Sequence, residues 1–435
     1  MTEQKAERSL LTEAMNIPMS LQRRDDSMNL LLSEDVFHRG MFINPQSESR
    51  NRGFEESTLV TLQWLTLLSG WQGTRRDVIK LAGIALLASA CGGLRSPEES
   101  GRTEEVIQES ELTPIEGGLV RIQPKEIRIP NSPKWFPDTR TSWIKRGDKF
   151  LVFASAGVDS VRLEGDSLTQ LGESKVVLGP DDKQTEYGFN GYRGFSTVFP
   201  GSKKELIAIS HRELWPDQGV HFPFTAEIDL AISKDDGFSW EKKGTILRGD
   251  QVLKDADTVQ GVGQPGAIMT QDGEVVVYHT NWGVGHASVC VAKAPLHDVA
   301  NPEAWKKWDG TGFNAPGLWG IPEPVVFAQE GYSALPCISW NTKLKKLLMI
   351  TEQDEGFYSQ TSDNYIQWSV PQLFATFPQK HSRRQVENTW YSYPTLISPD
   401  TGDQFVTSGK GYLLVSRGTW NVNAHRGVLI PIEIG

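Results

Sequence analysis

From Leu119 onward, short apolar or alternating runs are broken by clusters of Gly, Pro, Asp and Asn, the pattern of strands joined by tight turns. No apolar stripe of helical period lasts beyond two turns. The runs come in five pairs: 141–144 before 149–154, 194–198 before 206–210, 265–269 before 274–279, 336–340 before 346–351, and 394–397 before 412–416. In the third pair Asp272-Gly273 predicts a type I′ hairpin turn. Three of the leading runs share a mark: Gln264-Pro265, Leu335-Pro336 and Tyr393-Pro394.

A second mark repeats on a longer scale. The apolar run 228–232 leads into Ser233-Lys234-Asp235-Asp236-Gly237-Phe238-Ser239-Trp240, and Thr361-Ser362-Asp363-Asn364-Tyr365-Ile366-Gln367-Trp368 is a degenerate copy. With Trp305 between them, the tryptophans stand 65 and 63 residues apart. Such a period marks propeller blades. Five units of about 64 residues fill the stretch after the N-terminal region, and six would not fit. The expected fold is all-β: a five-bladed β-propeller over 118–435, its ring closed by 118–122 joining a last blade formed around 427–434.

Residues 1–91 read differently. Thr74-Arg75-Arg76-Asp77-Val78-Ile79-Lys80, followed by the apolar run 81–90, resembles a twin-arginine export signal. Ten to thirteen apolar residues are too few for a bilayer span, which needs roughly twenty, so a removable signal is expected. Ala88-Ser89-Ala90-Cys91 admits two readings, a cleavage site or a lipoprotein box with lipid on Cys91. The expected organisation is an N-terminal extension (1–73), the signal (74–91), a flexible tether (92–117) and the propeller (118–435). The resemblance implies an envelope lipoprotein or a secreted protein, touching a membrane only through Cys91.

The net charge of −10 comes without a basic stripe, and no nucleic-acid partner is expected. Three cysteines make no even disulfide framework, and Cys290 and Cys337 fall in strands as core residues. No metal-ligand spacing is recognisable, and neither metal nor cofactor is expected. The protein is expected to act as a monomer.

Blade topology turns the repeat into a map of the molecule. First strands start, and second strands end, at one face of the ring, while the Asp-bearing turns lie at the other. Asp235 and Asp363 are thus turn-stabilising fold markers. The working face collects Trp135, Asp138, Arg140, Tyr192, Arg193, Asp257, Gln264, Trp390 and Tyr393 before first strands, and His211, Arg212, Glu213, His279, Asn281, Trp282, Glu352 and Asp354 at the ends of second strands. His211 and His279 are expected at equivalent positions on adjacent blades. Aromatic faces, amides and carboxylates at one mouth suit a sugar, and glycoside hydrolysis needs two carboxyl groups of different pKa.

Several motifs resemble those of five-bladed glycosidase propellers, the broad group of family 43, 32 and 68 glycoside hydrolases. These are Ile209-Ser210-His211-Arg212-Glu213, Gly263-Gln264-Pro265-Gly266, Val291-Ala292-Lys293-Ala294-Pro295, Trp305-Lys306-Lys307-Trp308-Asp309-Gly310 and Ile338-Ser339-Trp340-Asn341. The resemblance implies Asp138 as base and Glu213 as acid; because the second blade carries Arg193 where an Asp is usual, the carboxylate that tunes them is either missing or supplied by Asp257. Arg193, His211, Gln264, His279, Asn281, Glu352 and Tyr393 are the implied substrate contacts. Asp138 also reads as a turn cap, and Glu213 as an ion-pair partner. A propeller that binds glycan or protein without chemistry is the alternative. Arg128-Ile129-Pro130 and the Asp-bearing turns also resemble sialidases, which have six blades.

Overall fold

The computed structural model describes residues 107–435 apart from 202–204, 251–257, 284–285, 328–333, 379–388 and 420–423. It also describes, separately, an antiparallel pair formed by Leu21–Arg24 and Ser27–Leu30. Asp257, Cys91 and the export-like segment lie outside the described residues.

Residues 107–435 form a five-bladed β-propeller. The first strands are Ser142–Arg146, Gly188–Pro200, Gln260–Met269, Ala334–Asn341 and Thr389–Ile397. Each pairs antiparallel with a second strand: Lys149–Ala156, Leu206–Trp215, Glu274–Gly283, Lys346–Gln353 and Lys410–Thr419. Third strands follow at Asp159–Gly165, Thr225–Ser233, His286–Pro295, Gly356–Ser362 and Ala424–Ile434. All five expected pairs are the first and second strands of a blade.

The ring closes as the sequence pattern predicts, with Val120–Ile122 and Lys125–Arg128 joining the outer edge of blade 5. The domain begins earlier than 118, however. Ile107–Glu109 pairs with Lys125–Arg128, and Thr113–Pro114 pairs with the outer strand of blade 4, Gln372–Thr376. Tyr391 and Arg417 of blade 5 both bind Glu126, and Arg417 also binds Glu111. Part of the expected tether is thus a strap across two blades.

The core lies between blades rather than on a central axis. One cluster joins blades 2, 3 and 4 through Ile228, Leu230, Val277, Tyr278, Val291, Ile338 and Met349. Others join blades 4 and 5, 5 and 1, and 1 and 2. Each fully buried aliphatic side chain contributes roughly 1.5–3 kcal/mol, so adjacent blades hold one another. Cys290 and Cys337 are free and buried within this packing.

The X-Pro marks have a conformational cause. Gln264, Leu335 and Tyr393 adopt left-handed backbone (φ 49°, 60° and 59°), and each sits where the first strand gains one residue relative to its partner. These are β-bulges, which re-aim the strand at the rim. The Asp272-Gly273 expectation needs correction: only Gly273 has positive φ (82°). The Thr270 N–H donates to the Glu274 carbonyl at 2.9 Å, so a left-handed glycine closes the turn without a type I′ geometry.

Candidate functional site

The bulges build a hydrogen-bonded layer under one mouth of the ring. In blade 3 the bulged Gln264 donates its backbone N–H to His211 Nδ1 of blade 2 at 3.3 Å. In blade 4 the Leu335 N–H donates to Thr280 Oγ1 of blade 3 at 3.0 Å. In blade 5 the Tyr393 N–H donates to Glu352 Oε2 of blade 4 at 3.2 Å, and the Ser392 hydroxyl donates to the same oxygen at 2.7 Å. His211, Thr280 and Glu352 are therefore equivalent, which corrects the expected equivalence of His211 and His279. Gly194 opposes His211, Gly263 opposes Thr280 and Ala334 opposes Glu352. Matching first strands by their apolar residues alone misses the extra residue in each bulge.

His211 is fully buried, with Tyr192, Phe224 and Trp282 around its ring at centroid distances of 5.5–6.1 Å. Because Nδ1 accepts the Gln264 N–H, the proton of the neutral ring lies on Nε2, which donates to Glu213 Oε1 at 3.2 Å. The other oxygen, Oε2, accepts from Trp215 Nε1 at 2.9 Å. Each oxygen of Glu213 thus has one hydrogen-bond donor on it. Gly263 is needed here: a Cβ would come within 2.4 Å of His211 Nδ1.

A second histidine–carboxylate pair occupies the seam between blades 5 and 1. Asp138 is partly exposed, and its Oδ1 lies 3.5 Å from His425 Nε2. The Ser416 hydroxyl donates to the Pro137 carbonyl and contacts His425 Nδ1 at 2.8 Å. Its single hydrogen is spent on Pro137, so the His425 contact requires a proton on Nδ1. The Nε2 that faces Asp138 is then bare in the neutral ring. Trp135, Trp390 and Tyr393 surround the His425 ring at 5.5, 5.0 and 6.1 Å.

Tyr192 links the two pairs. Its hydroxyl donates to the Asp138 backbone carbonyl at 3.1 Å. Burial, then the charges of Asp138 and Glu213, hold its pKa well above the usual tyrosine value. Tyr192 thus touches both pairs, through the Asp138 carbonyl and the His211 ring.

The remaining expected contacts fall in different surroundings. Arg193 is buried, with Nε and Nη2 on Asp229 Oδ2 at 3.1 and 2.6 Å and Nη1 on Asp181 at 3.3 Å. Asp229 continues into a network of Arg212, Glu227, Thr245 and Arg248. Glu352 is fully buried and holds the blade 5 bulge. Gln264 is buried at its bulge, and Asn281 is half-buried beside Cys290. His279 is fully buried; burial, then the nearby Lys307 charge, pulls its pKa down to about 3. Lys307 donates to the Arg248 and Gly320 carbonyls, and burial lowers its pKa to about 8. Among the described residues no three His, Cys, Asp or Glu side chains are placed to hold a metal ion.

Asp235 lies at the opposite face, where Ser233 pairs with Leu206. It accepts from the Ser239 N–H and hydroxyl at 2.9 and 2.6 Å, which lower its pKa to about 2. Trp240 packs on Phe195 and Phe153 of the first two blades. Arg128 is exposed on the outer edge of blade 5, away from the mouth.

No family model and no curated protein matches the chain. Solved structures similar to it include an α-L-arabinofuranosidase from Podospora anserina in complex with cellotriose (11% identity, 69% of this chain and 91% of that one, TM-score 0.42). A family 117 glycoside hydrolase from the marine bacterium Zobellia galactanivorans (9%, 76% and 90%, TM-score 0.44) is another. The catalytic domain of a Coprinopsis cinerea α-L-arabinofuranosidase (12%, 69% and 92%, TM-score 0.43) is a third. Such likenesses concern the fold and say nothing of the chemistry at the mouth.

Proposed function

We propose that the protein is a glycosidase-like propeller that binds a carbohydrate at this mouth and hydrolyses it with Asp138 and Glu213. The observation that carries the reading is that Tyr192 connects the two histidine–carboxylate pairs, its ring against His211 and its hydroxyl on the Asp138 backbone carbonyl, beside aromatic rings suited to sugar faces. The hydrogen bonds favour a division of labour. Glu213, with two donors, serves as the ionised group. Asp138, opposite the bare Nε2 of His425, shares the proton that a leaving group needs. This reverses the roles that the sequence resemblance implies.

A panel of glycosides tests the proposal, with Asp138→Asn and Glu213→Gln as variants. Turnover by the parent that falls by about 10²-fold or more in each variant supports it. Parent protein that binds glycans on an array but turns none over overturns the catalytic part. That outcome leaves a binding propeller, a reading favoured by the Arg193–Asp229 ion pair where glycosidases of this shape carry a further acid. We also propose export through segment 74–91. Labelling with a lipid precursor, lost in Cys91→Ser, distinguishes an anchored from a secreted product.

A further inference from the structure

Arg140 precedes the first strand of blade 1 and is 5% exposed. Its Nη1 donates to Thr197 Oγ1 at 2.9 Å and to the Ala267 carbonyl at 3.4 Å, and its Nη2 to the Ile338 carbonyl at 3.5 Å. These partners belong to the first strands of blades 2, 3 and 4. The neighbouring Thr141 N–H donates to Thr395 Oγ1 of blade 5 at 2.9 Å. A two-residue segment of blade 1 thus reaches the inner strands of all four other blades, which puts the guanidinium on the ring axis, one layer below the bulges.

This cation is charged at any accessible pH, yet no carboxylate among the described residues lies within 4.0 Å of it. Carbonyls at 3.4 and 3.5 Å are weak acceptors and bring no counter-charge. Arg140 Nε and Thr141 Oγ1 are buried with no hydrogen-bond partner among the described residues. Thr197 Oγ1 accepts from both Arg140 and the Ala267 N–H, and so has its own hydrogen to give. Donors with a net positive charge, buried together, are the chemistry of an anion site. The first strands of blades 3 and 4 approach closely here: a Cβ on Gly266 would come within 2.1 Å of the Pro336 carbonyl oxygen.

We propose that the ring axis binds a monovalent, chloride-sized inorganic anion at Arg140, as a fixed part of the fold beneath the mouth. Crystals of the parent grown without halide and soaked in sodium bromide are expected to show an anomalous peak within hydrogen-bond reach of Arg140 Nε. In solution, replacing gluconate by chloride at constant ionic strength is expected to raise the parent's Tm by roughly 3 °C. Arg140→Met is expected to lose that difference. Absence of the bromide peak at the guanidinium overturns the proposal whatever the Tm does, and leaves Arg140 held by carbonyls and water alone. If Arg140→Met does not fold, the soak and the anion exchange on the parent still decide.

Discussion

Acidification should unfold this propeller partly through one residue, His279. The side chain is fully buried between its cross-strand neighbour Cys290 and the Lys307 ammonium. Burial first, and Lys307 second, pull its pKa from the ordinary 6.5 to about 3. The folded value lies below the unfolded one, so between these limits the unfolded chain takes up a proton that the native state refuses. The contribution is therefore intact above about pH 6.5 and is lost as the pH falls. Each pKa unit is worth about 1.36 kcal/mol, and moving from about pH 7.5 to about pH 5 should remove about 2 kcal/mol through this residue alone. Urea unfolding of the parent and of His279→Gln across that range measures it. Carboxylates elsewhere titrate alike in both proteins, so the difference between the two pH slopes isolates His279. Lys307→Met removes only the second cause and leaves burial in place, so its slope over that range should stay close to the parent's. Parallel slopes for the parent and His279→Gln would refute the reasoning.

Gly263→Ala drives a methyl group into His211 Nδ1 and should loosen Glu213. Ligand binding or turnover at the mouth should drop about tenfold or more, with a smaller loss in Tm than Val277→Ala produces; unchanged activity contradicts the role given to His211. Tyr391→Phe leaves buried Glu126 with one hydrogen-bonding partner fewer and should cost about 2 kcal/mol in urea unfolding. Limited proteolysis should then cut first near residues 107–117, where the strap crosses blade 5. Trp240→Leu should lower Tm through lost packing on Phe195 and Phe153 while leaving mouth binding as in the parent. A change in binding would contradict the assignment of that turn to the far face.

Much of the fold was legible because propeller blades are local. Each strand pair lies within about twenty residues, and alternation, turn residues and the X-Pro dipeptides mark it in sequence. The closing strand was legible too, since an unpaired apolar run at the start needs an edge to cover. The strap at Ile107–Glu109 and Thr113–Pro114 was not. Its strands are only three and two residues long, too short to show an alternating pattern. What holds it is Tyr391 and Arg417, some 280 residues away.

The site was less legible, for a reason that lies in the bulges. One extra residue in a first strand moves the next blade's backbone N–H onto a side chain of the blade before it. Equivalence therefore runs from His211 to Thr280 and Glu352, across unlike residue types, and similarity of letters points instead to His279. His425 carries no motif; its significance comes from Asp138, 287 residues earlier in the chain, and from rings contributed by Trp135, Trp390 and Tyr393. Asp138 and Glu213 were visible as carboxylates at strand ends, but their surroundings were not: the partners of Glu213 stand two residues to either side on its own strand, while His425 reaches Asp138 from another blade. Trp215 and His211 both donate to Glu213, whereas His425 turns a bare nitrogen to Asp138. Two carboxylates that the sequence leaves chemically alike thereby stand in different surroundings, the kind of difference that the proposed acid–base chemistry would use.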